Sequence, residues 1–126
     1  MAAGLQFTMP GVPMLFAGDE LGLEGVNGED SRRPMPWADE HRWDIATLDT
    51  YAELSRVRRS HAALRRGGQR WAYVDDDTIA FVREHLDGSV LVVARRAAGP
   101  SFSLPLTLGS HLLGTEPGTP LLDEPG

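Results

Sequence analysis

A short and almost wholly apolar run, Val12–Ala17, is closed by a glycine and two carboxylates, Asp19 and Glu20. Such a run is typical of a strand that is buried on both faces, as in parallel sheets covered by helices. A long polar loop rich in glycine and proline follows this run and ends at Trp37. A buried parallel strand that opens into a large polar loop predicts one sector of the active-site rim of an α/β barrel.

A short helical pattern precedes this run. Leu5 and Met9 lie four residues apart, which predicts a helical segment over residues 1–9 that Pro10–Gly11 ends. A parallel strand needs a neighbour along each edge, and the chain contains no second strand of the same βα pattern. We therefore predict that Val12–Ala17 finds no strand partner within this chain and leaves an apolar surface uncovered.

A second helix is predicted from Asp44 or Thr47 to Arg66, because apolar side chains recur there at three- and four-residue spacing. Asp44 or Thr47 can cap its N-terminus, and Gly67–Gly68 supplies the residue type that commonly closes a helix. Its C-terminal half is rich in arginine, which complements the helix dipole. We interpret these arginines as a solvated helix face, with a docking patch as the alternative. They are Arg56, Arg58, Arg59, Arg65 and Arg66.

After the two glycines the hydrophobic period changes from helical to two, which predicts strands. Short polar connections and an Asp-Gly step at 87–88 join these strands, so the predicted sheet is an antiparallel meander. Trp71 and Tyr73 are predicted to lie on one face of the first strand. The third strand is a nearly continuous run of Val and Leu, which predicts that it lies at the centre of the sheet. The predicted strands are 70–74, 78–84, 89–94 and 102–106.

These two patterns divide the chain near Gly67–Gly68. Residues 1–66 are predicted to be α/β, a helix–strand–helix portion of a (β/α)8 barrel. Residues 67–126 are predicted to form an antiparallel, sandwich-like all-β domain that is itself truncated. The whole chain has 126 residues, whereas a complete barrel of this kind needs about 250.

Composition and charge narrow the classes of function. The hydrophobic fraction of 41% and the charged fraction of 24% are typical of a soluble globular protein. The net charge of −6 argues against nucleic acid or an anionic membrane as a partner. The chain has no cysteine, so it forms neither disulfides nor thiolate metal sites, and its 4 histidines show no metal-ligand spacing. We predict a cytoplasmic protein with no metal and no cofactor.

Three motifs together carry a resemblance to a known family. Pro10–Gly22 resembles the eighth barrel strand of the α-amylase superfamily, glycoside hydrolase family 13. Ser31–Trp37 is similar to the loop after that strand in the neopullulanase, cyclomaltodextrinase and α-glucosidase branches. Ser60–Gly67 is similar to the end of the last barrel helix, just before the C-terminal β-domain. The motifs stand in the family's order and spacing, and the resemblance extends over about residues 1–106.

The resemblance implies an enzyme that hydrolyses or transfers α-glucosidic bonds with retention. The family's aspartate nucleophile, glutamate acid/base and orienting aspartate all lie upstream of the position that corresponds to Met1. The chain would then hold the last helix–strand–helix portion of the barrel and most of the β-domain, without a catalytic residue and inactive by itself. Its expected partners are an α-glucan or maltooligosaccharide in the intact parent enzyme and a complementing barrel fragment.

The chain's own carboxylates do not replace the missing ones. A retaining glycosidase needs two carboxyl groups about 5–5.5 Å apart on either side of the scissile bond. Asp19 and Glu20 are adjacent, and neighbouring side chains of a strand point to opposite faces. Glu29–Asp30 and Asp39–Glu40 lie in loops where nothing in the sequence would separate the pKa values of the two carboxyls.

Five residues remain as candidates for substrate binding or for the active-site rim. Trp37 would either stack on a glucose ring or hold the loop onto the barrel. An arginine of the loop would either pair with a carboxylate at the barrel mouth or tie the loop to Asp19 or Glu20. Either role uses the C-terminal end of the predicted strand, where barrels carry functional groups. The candidates are Asp19, Glu20, Arg32, Arg33 and Trp37.

Two aromatic residues of the predicted sheet, Trp71 and Tyr73, give a separate candidate surface. They would either form a platform for an α-glucan or pack within the core of the β-domain. A small α-glucan-binding or purely structural β-module is therefore the alternative to an enzyme fragment.

Overall fold

The computed structural model describes residues 1–30 and 32–104. The helices and strands within these residues follow the order of the sequence prediction. The helices are α1 (Ala2–Thr8), α2 (Ile45–Ser60) and α3 (Ala62–Arg66), and the strands are β1 (Gly68–Val74), β2 (Thr78–His85) and β3 (Gly88–Arg95). Two short 3₁₀ turns, Asp19–Leu21 and Glu40–Arg42, lie in the long connection between α1 and α2.

Asp44, one of the two predicted caps, begins α2. Its Oδ1 accepts a hydrogen bond from the Thr47 amide at 3.1 Å, and its Oδ2 accepts one from the Thr47 hydroxyl at 2.7 Å. The Thr47 hydroxyl and amide, in that order, hold the pKa of the Asp44 carboxyl below its usual range. The cap thereby satisfies one of the amides that the first turn of any helix leaves unpaired.

The prediction of one continuous helix to Arg66 is wrong, because the chain is interrupted at His61. The backbone of this residue is extended, with φ −112° and ψ 114°, and it separates α2 from α3. Its ring Nδ1 donates to the carbonyl of Val57 at 2.9 Å, and its amide donates to the same carbonyl at 3.2 Å. Both groups of His61 therefore bond a carbonyl in the last turn of α2.

The run predicted as a buried strand is extended but unpaired within the described part of the chain. Residues 12–16 join no sheet there, so the prediction of a strand is wrong for this polypeptide taken alone. The related prediction, that the chain leaves the run uncovered, is confirmed by the exposed fractions of Val12 (92%) and Met14 (75%). A strand requires a neighbour to accept its hydrogen bonds. We call Val12–Phe16 the apolar segment.

The antiparallel meander is confirmed in the order β1-β2-β3, with Gly88 at φ 131° in the tight turn between the last two strands. Among the described strands β2 lies between its two neighbours, so the prediction that the Val/Leu strand β3 is central is wrong for the part of the chain that the structure describes. Ala80, Phe81 and Val82 are all fully buried, which shows that both faces of β2 are covered. The sequence of β2 includes the charged residue Arg83, so it lacks the continuous apolar run that usually indicates a central strand.

The prediction that Trp71 and Tyr73 lie on one face of the first strand is wrong, because a β-bulge interrupts β1 between them. Trp71 pairs with Phe81, whereas Tyr73 pairs with Ala80, so the register shifts between the two aromatic residues. Because Ala80 and Phe81 face opposite sides of β2, Trp71 and Tyr73 also lie on opposite faces of the sheet.

The fourth predicted strand is not formed where the chain is described. Residues 102–104 have no strand structure, and Phe102 instead stacks on the Tyr73 ring with centroids 4.7 Å apart. The remainder of that predicted strand, with the rest of the predicted β-domain to residue 126, lies outside the described residues. The domain boundary at Gly67–Gly68 stays a prediction.

Two arginines are buried between the helices and the sheet. Arg58 of α2 is 8% exposed and Arg83 of β2 is 1% exposed. The interpretation of the helix arginines as a solvated face is therefore wrong for Arg58, although Arg56 is exposed and pairs with Glu53.

Candidate functional site

The predicted rim carboxylates lie in a tight turn that directly follows the apolar segment. The Oδ2 atom of Asp19 accepts a hydrogen bond from the Phe16 amide at 3.1 Å, and Oε2 of Glu20 accepts one from the Gly18 amide at 3.0 Å. Both carboxylates thus bind the main chain of their own turn. This is a structural arrangement, in which one oxygen of each carboxylate accepts a hydrogen bond.

Glycines at both ends give this turn its shape. Gly18 has φ 104° and Gly22 has φ 66°, values that a residue with a side chain rarely adopts. A Cβ on Gly18 would lie 2.7 Å from the side chain of Leu23, so that position is also crowded. Between the glycines, Leu21 is buried and its carbonyl accepts the amide of Asp44 at 3.1 Å. We call Gly18–Gly22 the rim turn.

The loop after the rim turn is organised around Asp30. Its carboxylate accepts the Val26 amide at 2.9 Å and Nη2 of Arg33 at 2.6 Å, and its carbonyl accepts Nε of Arg33 at 3.0 Å. The Val26 amide first, and then Arg33, hold the pKa of the Asp30 carboxyl below its usual range. The structure therefore pairs Arg33 with Asp30, and not with Asp19 or Glu20, which was one of the two alternatives for the loop arginines.

The other predicted arginine, Arg32, lies at the surface beside this loop. Its amide donates to the Glu29 carbonyl at 3.1 Å, and its side chain is exposed. The structure gives no hydrogen bond or ring contact between Arg32 and Trp37, so these two residues stay separate candidates.

Trp37 lies in the lining of an open cleft of about 620 Å³. The indole is 70% exposed and meets Trp43 edge-on, with ring centroids 6.3 Å apart. Trp43 is fixed in turn by a hydrogen bond from its Nε1 to the Pro36 carbonyl at 3.2 Å. The lining residues are Leu23, Arg33, Pro34, Met35, Pro36, Trp37, Ala38, Asp39 and Arg42.

This cleft combines an aromatic face with two guanidinium groups, Arg33 and Arg42. Such a combination suits a ligand with an apolar ring face and several hydroxyl or anionic acceptors. Sequence reasoning missed Trp43 and Arg42. A second tryptophan six residues after Trp37, just before the predicted helix, is the signal that could have indicated them.

The second candidate surface is divided by the bulge in β1. Trp71 is half exposed and meets Phe81 edge-on at 5.5 Å, while the Tyr73 hydroxyl donates to Asp75 at 2.8 Å on the other face. These two side chains do not form one platform. In the described residues no group of three or more His, Cys, Asp or Glu side chains could hold a metal ion. The described helices are each too short or too polar to cross a membrane.

Comparison with known proteins shows that most of this chain is similar in sequence to part of several longer enzymes. The chain is 36% identical over 95 residues to a cyclomaltodextrinase of a Bacillus species, a match that covers 74% of this chain and 17% of the relative. It is 38% identical over 95 residues to neopullulanase 2 of Thermoactinomyces vulgaris, covering 74% of the chain and 16% of the relative. The matched regions lie at the C-terminal end of these relatives. No protein-family model matches the chain.

A solved structure agrees with these relatives. The cyclic α-maltosyl-(1→6)-maltose hydrolase of Arthrobacter globiformis, in complex with that saccharide, superposes with a TM-score of 0.70 at 38% identity. The superposition covers 75% of this chain and 21% of the hydrolase. The described helices and sheet therefore share their arrangement with one region of a much longer enzyme.

Proposed function

Because the chain belongs to the α-amylase superfamily, glycoside hydrolase family 13, we propose that it is the C-terminal part of an enzyme that hydrolyses or transfers α-glucosidic bonds. In this proposal it supplies one sector of the barrel rim and most of a β-domain. It has no turnover by itself, because the catalytic carboxylates lie in barrel sectors that precede the matched region.

The observation that carries this proposal is the exposed apolar segment. Val12 and Met14 present large apolar side chains to solvent, immediately before the rim turn. A backbone that is extended, apolar and unpaired is suited to pair with neighbouring strands of a barrel. The matched relatives have about 80% of their length outside the region shared with this chain, which is ample for those neighbours.

In the same proposal, Asp19 and Glu20 shape the rim and do not act as an acid/base pair. Each carboxylate already accepts a main-chain amide of its own turn. Arg32, Arg33 and Trp37 would contact the sugar or neighbouring loops at the mouth of the barrel, and the cleft beside Trp37 would be the place of contact. Location in the cytoplasm stays a prediction from the sequence.

A chimeric enzyme tests this function. The 95 matched residues of the Bacillus cyclomaltodextrinase would be replaced by the corresponding residues of this chain, and hydrolysis of a cyclomaltodextrin would be measured. We expect the chimera to keep measurable turnover, and the separate 126-residue chain to show none on an aryl α-glucoside. A chimera that folds by circular dichroism but has no activity, or a separate chain that turns over the glucoside, would contradict the proposal.

A second function, α-glucan binding without catalysis, is favoured by one observation, the exposed indole of Trp37 in its cleft. Electrophoresis of the chain through a gel containing starch or pullulan would detect such binding as retarded migration. Trp37→Ala should abolish the retardation, whereas Trp71→Ala, at an exposed tryptophan of the sheet, should leave it unchanged. Unretarded migration of the unsubstituted chain would exclude this function.

A further inference from the structure

The buried arginines Arg58 and Arg83 bind main-chain carbonyls at the ends of two helices. Arg58 donates to the carbonyls of Phe7 at 2.7 Å and Met9 at 3.3 Å, and also to that of Gly11. Arg83 donates to the carbonyls of Gly67 at 2.8 Å and Gly68 at 3.2 Å, and also to that of Thr8. Two side chains from different parts of the sequence therefore meet at the same stretch of backbone, residues 7–11.

Phe7 and Thr8 lie in the last turn of α1 and Met9 is its C-cap, while Gly67 is the C-cap of α3, so these carbonyls are acceptors that a helix leaves unsatisfied at its C-terminus. The carbonyls of Gly11 and Gly68 lie just beyond the two helix ends. The last turn of α1 contains no basic residue of its own, so the cations that complement its dipole come from α2 and β2. The guanidinium group is suited to this task, because it carries several donors in a fixed planar fork.

Burial of the two guanidinium groups carries a desolvation cost. Burial lowers the pKa of both guanidinium groups, and the charge of Arg58 lowers that of Arg83 further. A buried charge is tolerated only when its donors are satisfied. Loss of one arginine would leave helix carbonyls buried without a donor.

We propose that Arg58 and Arg83 form a two-arginine clamp that sets the direction in which the apolar segment leaves α1. The clamp fixes residues 7–11 against α2 from one side and against the sheet from the other. The course of Val12–Phe16, and with it the position of the rim turn, is then set by residues more than 40 positions later in the chain. This inference does not depend on the proposed function.

Hydrogen exchange on the full chain, followed by mass spectrometry or NMR, tests the clamp. The reporters are the amides of Leu5 and of the C-cap residue Met9, called here the α1 amides, which bond to the carbonyls of Met1 and Leu5. Amides of β2 and β3 report on the sheet. Arg58→Met should speed exchange of the two α1 amides by about tenfold or more and leave the sheet amides unchanged, because the clamp acts locally. Arg56→Met is the matched control, since Arg56 lies two residues away on the exposed side of α2 and should change neither set.

Three outcomes would overturn the clamp. The first is that the α1 amides of the unsubstituted chain are unprotected, and the second is that Arg58→Met leaves their exchange unaltered. The third is that Arg58→Met releases the sheet amides together with those of α1, which would indicate general unfolding. Arg83→Lys provides an independent test, because lysine keeps the positive charge but lacks the planar set of donors of a guanidinium group. It should speed exchange of the Met9 amide while β3 stays protected, and unchanged exchange there would also contradict the clamp.

Discussion

The sheet and the apolar segment satisfy their backbones in different ways. Each strand of the sheet pairs with a neighbour that follows or precedes it directly in the chain, and β2 is covered on both faces. The apolar segment is equally extended and equally hydrophobic, yet its neighbours are absent from the described residues. Antiparallel hairpins close with a turn of two residues, whereas parallel strands need crossover connections of a dozen residues or more.

This difference shows which contacts determine the conformation of each region. The sheet is specified by short-range signals, namely alternation and the turn at Asp87–Gly88. The apolar segment depends on long-range partners. Among the described residues its two ends are held by the clamp at residues 7–11 and by the rim turn, and its middle is held by a hydrogen bond from the Gln6 side chain to the Met14 carbonyl. Substitutions in the sheet should therefore change stability, while substitutions in the apolar segment should change association.

The largest loss of stability is expected from Phe81→Ala. The side chain is fully buried in β2 and meets Trp71 edge-on at 5.5 Å. Removing a buried aromatic ring of this kind costs about 3–5 kcal/mol, and urea denaturation followed by tryptophan fluorescence measures it. Leu86→Ala, at a fully exposed leucine of the next turn, is the control and should change the unfolding free energy by less than about 0.5 kcal/mol. If both substitutions changed the unfolding free energy equally, burial in β2 would not account for the stability of the sheet.

A smaller loss is expected from Gly18→Ala in the rim turn. Gly18 has φ 104°, and an added Cβ would lie 2.7 Å from the Leu23 side chain. The strain should cost about 1–2 kcal/mol in the unfolding free energy, measured by the same urea titration. Gly28→Ala is the matched control, because a Cβ there has nothing within 4 Å and φ is not in the left-handed range. A neutral Gly18→Ala would show that the turn is not held in this conformation.

The cap of α2 gives a pH-dependent test of the connection between the rim turn and the long helix. The pKa of the Asp44 carboxyl is lowered in the folded chain, by the Thr47 hydroxyl first and the Thr47 amide second. Its contribution is therefore fully present above the unfolded pKa, about 3.9, and is lost as the pH falls through the folded pKa. Asp44→Ala should lower the urea midpoint at pH 7 and have less effect near pH 3.

Asp44→Ser is the control for this test, because serine keeps an uncharged cap oxygen. The difference between Asp44→Ser and Asp44→Ala should not shrink in acid. If the effect of Asp44→Ala were the same at both pH values, the charge of the cap would play no part.

Much of the secondary structure was predictable because its signals are local. The helix α1, the cap at Asp44, the three strands and the hairpin at Asp87–Gly88 follow from spacing and turn chemistry. The break at His61 was not predicted, because the three- and four-residue spacing of apolar side chains continues past this residue to Leu64.

Residues with tertiary roles were the harder part. Arg58 and Arg83 resemble surface residues in sequence, and only the fold brings helix carbonyls to them. The role of the candidate site residues stays a prediction, and the hydrogen bonds that the structure gives them were not foreseen from the sequence. Arg33 bonds its own loop at Asp30, because a carboxylate three residues away is reached at lower entropic cost than one across the turn.

The smallest effect on stability, and the sharpest test of the comparison, is expected from Val12→Lys with Met14→Lys. Both side chains are largely exposed, so charges there should hardly change the urea midpoint, by less than about 0.5 kcal/mol. They should instead suppress association of the chain, because like charges on an extended edge prevent strand pairing between molecules. Light scattering over a concentration series would show this as a monomer for the double variant and larger species for the unsubstituted chain. Leu86→Lys places a charge at an equally exposed but isolated leucine and should leave association unchanged. If it suppressed association as well, net charge and not the apolar segment would govern the interaction.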